Sequence, residues 1–181
     1  MRLGVYVGSF NPPHLGHLKV ANFLLDNNYV DKVLMLPTPN YWEKQDLLDV
    51  RMRADMLRFF ETDKIIVDDI HNTEYTYEVL KRLKELYTDD TLYLIIGSDN
   101  LDRFHLWKNI DEVLNHNVIV LKRGNTDIDK HLEKFDRSRF IVIDDFPFVD
   151  ISSTKIREGS DDFLDPRVLQ YIKKNKLYGR K

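Results

Sequence analysis

Two histidines three residues apart, His14 and His17, close a run of small and rigid residues, Gly8-Ser9-Phe10-Asn11-Pro12-Pro13-His14-Leu15-Gly16-His17. The run follows the apolar segment Leu3 to Val7 and opens a stretch with helical periodicity. Strand, tight turn and helix start, in that order, suit a phosphate. The first N–H groups of a helix lack internal partners and carry partial positive charge, so an anion is stabilised there without a cationic side chain. The spacing turns both imidazoles the same way on the first helical turn, and Gly8 and Gly16 remove side chains that would keep a ligand from the backbone. This is not the dinucleotide fingerprint, because no Gly-x-Gly-x-x-Gly follows the strand. A metal site would need a third ligand, and the chain has no cysteine to offer one.

Three further segments carry usable chemistry. In Ile95-Ile96-Gly97-Ser98-Asp99-Asn100-Leu101, an apolar strand ends on a carboxylate that can accept hydrogen bonds from ribose hydroxyls or an amine, and Trp107 offers a flat face for an aromatic ring. In Ile151-Ser152-Ser153-Thr154-Lys155-Ile156-Arg157, hydroxyls at a helix start are followed within a turn by two cations, a combination suited to clamping a polyphosphate. Tyr75-Thr76-Tyr77-Glu78 precedes a helical stripe, with Thr76 in position to cap it.

These segments must be held by something, and the apolar pattern says what. Short apolar runs at Leu3 to Val7, Lys32 to Leu36, Ile65 to Val67, Leu92 to Ile96, Val118 to Leu121 and Phe140 to Ile143 read as buried parallel strands. Between them, Leu18, Ala21, Leu24 and Leu25 mark one helical stripe, and Val79, Leu80, Leu83, Leu86 and Tyr87 another. Alternating strand and helix predicts an open α/β sheet with right-handed crossovers. Ligands of such sheets sit beyond the carboxyl ends of the strands where strand order reverses, which would put the Gly8 to His17 turn opposite Gly97-Ser98-Asp99 if the first and fourth strands are neighbours. Pro37 to Leu48 reads as an irregular lid or substrate loop before a helix starting near Asp49, and Asp165-Pro166 as the cap and first turn of a last helix.

Composition bounds the rest. A chain of 181 residues fits one domain, and 27 basic against 30 acidic residues, a net charge of −3, exert no global pull on nucleic acid or an anionic membrane. The absent cysteines exclude disulfides and thiol catalysis. With no export signal and no apolar run of bilayer length, a cytoplasmic protein is the default expectation, with no nucleic-acid or membrane partner. Oligomeric state stays open, a homo-oligomer included. The acidic pairs Asp144-Asp145 and Asp161-Asp162 are assigned no catalytic role.

Taken together, the His-x-Gly-His run, the Gly-Ser-Asp-Asn-Leu-x-x-Phe-x-x-x-Trp segment and the Ser-Ser-Thr-x-x-Arg segment resemble the nucleotidyltransferase superfamily, and within it the nicotinate or nicotinamide mononucleotide adenylyltransferases, over Val5 to Tyr178. The resemblance implies a Rossmann-like open parallel sheet with helices on both faces, a single nucleotidyltransferase domain over residues 1–181, and a small helical part from about 150 to 181 that completes the ATP site. It implies adenylyl transfer from ATP to nicotinate mononucleotide with release of pyrophosphate. Nicotinamide mononucleotide, another acceptor such as phosphopantetheine, and a catalytically silent nucleotide sensor are the alternatives. Carried over residue by residue, it gives His14, His17 and Arg157 to catalysis and Gly8, Ser9, Phe10, Gly16, Ser153 and Thr154 to ATP. Lys44, Thr76, Gly97, Asp99 and Trp107 go to the mononucleotide. Mg²⁺ is expected with ATP and not on protein side chains. Tyr41-Trp42-Glu43 departs from the family's Pro-Pro-His before Lys44, Arg51 and Arg53 both match its next arginine, and Arg123 fits either an adenosine contact or a surface charge.

Overall fold

Each apolar run becomes a strand because helices cover both of its faces. The computed structural model describes residues 1–40, 46–147 and 151–180. In chain order it contains β1 (Arg2–Gly8), α1 (Leu15–Asp26), β2 (Lys32–Pro37), α2 (Val50–Leu57), β3 (Ile65–Val67), α3 (Thr76–Leu86), β4 (Thr91–Gly97) and α4 (Leu101–Phe104). There follow α5 (Ile110–Val113), β5 (Asn117–Leu121), α6 (Ile128–Leu132), β6 (Phe140–Ile143), α7 (Ser153–Arg157) and α8 (Pro166–Lys174). The strands form one parallel sheet in the order β3-β2-β1-β4-β5-β6.

Side chains alternate across that sheet and split the core in two. Val33, Met35, Ile95, Ile119 and Leu121 pack with α1, α2, α7 and α8 on one face. Leu34, Leu36, Leu94, Ile96, Val118 and Val120 pack with α3, α4, α5 and α6 on the other. Two-sided burial is why these strands read as unbroken apolar runs instead of alternating ones. The helical stripes hold with one exception. Val79, Leu80 and Leu83 are buried, but Leu86, at the last position of α3, is 54 % exposed. Asp49 caps α2, and Asp165 with Pro166 starts α8 as the sequence indicates. Among the described residues no helix is long and apolar enough to cross a membrane.

The order of strands reverses between β1 and β4, so a crevice opens where their carboxyl ends, Gly8 and Gly97, diverge into separate loops. The chain's late segment reaches the same place. Ser153 Oγ donates to the Pro12 carbonyl at 2.9 Å, and the Leu15 N–H donates to the Phe163 carbonyl at 2.8 Å.

Candidate active site

His14 is the N-cap of α1, and the cap is built from the two histidines themselves. His14 Nδ1 accepts from the Gly16 N–H at 3.1 Å, and His17 Nδ1 accepts from the His14 N–H at 3.0 Å. The arrangement is a capping box in which imidazoles replace the usual hydroxyl and carboxylate. The rings stack at 3.7 Å and 18°, so both do point the same way. A neutral imidazole carries one proton, and with both Nδ1 atoms accepting, that proton sits on Nε2 of each ring. Burial, with a smaller push from the Arg123 guanidinium, lowers His14 to about 4. Burial first, then His14 and Arg123, lowers His17 well below the ordinary imidazole value. The pair therefore forms two neutral Nε2–H donors with fixed tautomers.

What lies under the rings changes the reading of the loop. Phe10, only 2 % exposed, supports His17 edge-on at 4.8 Å and Tyr6 at 5.3 Å. Its φ of 46° is unfavourable for a residue with a Cβ and is imposed by this packing. The Phe10 ring is thus a support for His17. A Cβ on Gly8 would meet the Phe10 ring at 3.1 Å, and a Cβ on Gly16 would meet the His14 ring at 2.8 Å. Both glycines make room for rings of the protein, and Gly16 also lines the cavity at the strand ends. The bare helix start is corrected too. The N–H groups of Leu15, Gly16 and His17 are taken by the Phe163 carbonyl, His14 Nδ1 and the His14 carbonyl, so an anion at the start of α1 would be met by side chains.

Those side chains line a cavity of about 230 Å³ at the strand ends, walled by His14, Gly16, His17, Gly97, Ser152 and Ser153 together with Lys19, Arg123 and the apolar Val20, Ile95, Phe146 and Ile151. The first and last motifs thus share one cavity through Ser153. Arg157 and Thr154 do not line it. Arg157 Nη1 donates to the Asn11 carbonyl at 2.7 Å and Nη2 to Thr154 Oγ1 at 3.2 Å, and both residues line an adjoining cavity with Asp46, Leu48 and Tyr178. With both histidines neutral, the cations of the first cavity are Lys19 and Arg123. Lys19 carried no motif to mark it, and its only signal was its place one turn past Gly16, which lines the same cavity.

The residues assigned to the mononucleotide are less gathered. Gly97 lines the cavity, and the Asp99 carboxylate folds back so closely that a Cβ on Gly97 would collide with its Oδ1. Asp99, Thr76 and Trp107 are not in that cavity's wall. Trp107 packs half-buried on Phe104 at 4.8 Å. Thr76 is the first residue of α3 and not its cap; Tyr75 holds the cap position without a side-chain bond, and Thr73 Oγ1 donates to the Tyr75 carbonyl at 3.0 Å. The two neighbourhoods meet where Lys108 Nζ lies 4.3 Å over the Tyr75 ring. Lys44 lies outside the described residues.

Ser9 and Arg53 resolve together. The Ser9 carbonyl accepts from the fully buried Arg53 at 2.7 Å, and the same guanidinium reaches the carbonyls of Leu48 and Thr38. Arg53 therefore fixes the loop after β1 and both ends of the loop between β2 and α2, leaving Arg51 exposed on α2. Among the described residues no cluster of three or more His, Asp or Glu side chains could hold a metal, and no carboxylate lines the cavity, so these residues offer no set of ligands for a divalent ion.

A Rossmann-ordered parallel sheet with paired histidines and a serine-threonine segment over its switch point defines an α/β nucleotidyltransferase, and residues 5–159 match the family described as cytidylyltransferase-like. A probable nicotinate-nucleotide adenylyltransferase of Flavobacterium psychrophilum is 37 % identical over 194 aligned positions, covering 98 % of this chain and 99 % of the relative, and that of Flavobacterium johnsoniae is 36 % identical with the same coverage. The chain belongs to the nicotinate-nucleotide adenylyltransferase family. In fold it is similar to the nicotinic acid mononucleotide adenylyltransferase of Plasmodium falciparum complexed with NaAD, with a TM-score of 0.82 at 23 % identity over 99 % of this chain and 98 % of that one.

Proposed function

We propose that this chain transfers the adenylyl group of ATP to nicotinate mononucleotide, forming deamido-NAD and pyrophosphate. The observation that carries the reading is the single cavity at the β1/β4 switch point, walled by both histidines from the start of the chain and by Ser152 and Ser153 from its end. The naming of the relatives supports the acceptor.

The chemistry fits what these residues supply. The acceptor phosphate oxygen bonds to the α-phosphorus, the bond from that phosphorus to the oxygen bridging the β-phosphorus breaks, and pyrophosphate leaves with the electron pair. A phosphate monoester has a second pKa of about 6, so it attacks without a general base. The protein's part is alignment and stabilisation of charge moving onto the leaving group. Two preset Nε2–H donors and the Lys19 and Arg123 cations serve that end. Arg157 would join them by exchanging the Asn11 carbonyl for a phosphate oxygen. The apolar wall of Val20, Ile95, Phe146 and Ile151 suits a flat base. Mg²⁺ would arrive on the phosphates of ATP and be held by them and by water, supplying charge neutralisation there. On the acceptor side, Thr76, Gly97, Asp99 and Trp107, with Lys44, are the candidate contacts.

The test is pyrophosphate release at equal ATP with nicotinate mononucleotide, nicotinamide mononucleotide and phosphopantetheine. Fastest release with nicotinate mononucleotide, accompanied by the dinucleotide, is the expected result. Release with phosphopantetheine alone, or with no acceptor, would overturn the assignment.

A further inference from the structure

The last turn of the chain holds a residue that the motifs do not include. Tyr178 OH lies 2.6 Å from Asn11 Oδ1, a contact spanning 167 residues of sequence. Burial pushes the Tyr178 hydroxyl well above its ordinary range, so it stays protonated and is the donor in this bond. Asn11, itself 5 % exposed, has further partners: Nδ2 donates to the Asp46 carbonyl at 2.7 Å, Oδ1 also accepts from the Leu48 N–H at 3.4 Å, and its carbonyl accepts from Arg157 at 2.7 Å. Through its side chain Asn11 ties the loop leading to His14 to the segment before α2 and to the last turn of the chain, and through its main-chain carbonyl it holds Arg157.

Backbone conformation indicates that this contact is maintained against local preference. Lys176 and Tyr178 sit at φ of 52° and 54°, the left-handed region that residues with a Cβ avoid, and Gly179 follows at 71°. The turn they make is anchored on one side by the buried Leu177 and on the other by the tyrosine hydroxyl. Without the hydroxyl bond the Asn11 amide keeps only the Asp46 carbonyl and the long 3.4 Å contact from Leu48, and residue 11, whose main-chain carbonyl seats Arg157, loses its tie to the last turn of the chain.

The geometry points to Tyr178 as a positioning residue for adenylyl transfer: through Asn11 it sets the resting place of Arg157 beside the triphosphate cavity. The inference rests on the proposed adenylyl transfer. Tyr178 touches neither reactant in it, so its removal acts on the rate at which bound substrates react more than on how tightly they bind.

Tyr178→Phe keeps the ring and deletes the donor. With wild type, Y178F, N11A and the N11A/Y178F double variant assayed for pyrophosphate release, kcat of Y178F should fall about tenfold, the loss of one ordinary hydrogen bond. KM for ATP should stay within about twofold, and Tm should fall by only a few degrees, leaving the variant folded at the assay temperature. In the N11A background the added change should shrink below about twofold, because the route through Asn11 is already cut. An unchanged kcat in Y178F, a full tenfold loss persisting in N11A, or a loss matched by unfolding at the assay temperature would each overturn the inference while leaving an active wild type. An inactive wild type would remove the reading beneath it as well.

Discussion

His17 performs two tasks with two different nitrogens, and substitutions can separate them. Nδ1 accepts the His14 N–H and so holds the helix cap, while Nε2–H faces the cavity as a donor. His17→Ala removes both, together with a ring stacked on His14 at 3.7 Å and seated on Phe10 at 4.8 Å. Loss of a preset donor to developing charge raises the barrier by about 3 kcal/mol, roughly a hundredfold or more in kcat. Loss of the cap costs about 1 kcal/mol of stability. His17→Asn places an amide oxygen near the position of Nδ1 and nothing near Nε2, so it should retain most of the stability and share the catalytic defect of H17A. His17→Gln places an amide nitrogen near Nε2 and leaves the His14 N–H without its partner; it should be less stable than H17N and turn over faster. Steady-state pyrophosphate release and urea unfolding on the same preparations read the two orders. An H17N enzyme with wild-type turnover would refute the donor assignment, and H17Q more stable than H17N would refute the cap.

Two other outcomes follow from the same coordinates. Because His14 titrates near 4 when folded and near 6.5 when unfolded, the unfolded chain takes up a proton first as pH falls, and the stability present above 6.5 drains away on the way down to 4. Against His14→Asn, which keeps an acceptor for the Gly16 N–H and does not titrate, wild type should lose about 2 kcal/mol between pH 7 and pH 5 by urea unfolding; a difference that does not change with pH would exclude it. Arg53→Met should cost about 3 kcal/mol or more, since it strands the carbonyls of Ser9, Thr38 and Leu48 in the interior, and R53K, with a single nitrogen, should recover only part of that. A loss under about 1 kcal/mol for R53M by the same method would show the two loops to be held otherwise.

The sheet was legible because its strands are buried on both faces, so that burial alone dictated their composition and β1 to β6 stand where the apolar runs lie. The meeting of the first and last motifs was legible through family resemblance, since no local pattern ties Ser153 to Pro12. What escaped was the use made of each residue. Gly8 and Gly16 were rightly seen as space, but the occupants are Phe10 and His14. The helix start was seen as a bare anion site, although its donors are consumed by a histidine cap and by Phe163 from far along the chain. Buried Arg53 looks in sequence like any charge on a helix, and Thr76 looks like the better cap than Tyr75. Each of these depends on what packs against the residue, which periodicity cannot report.

The carbonyl of Phe163, the hydroxyl of Ser153 and the hydroxyl of Tyr178 all land on residues 11 to 15. During synthesis the first third of the chain can build its strands and helices, but the nucleotide cavity stays without its second wall until the ribosome has released the α7 and α8 region. A growing polypeptide therefore completes this cavity only after Ser152 and Ser153 have been made, and the ties from Phe163 and Tyr178 come later still.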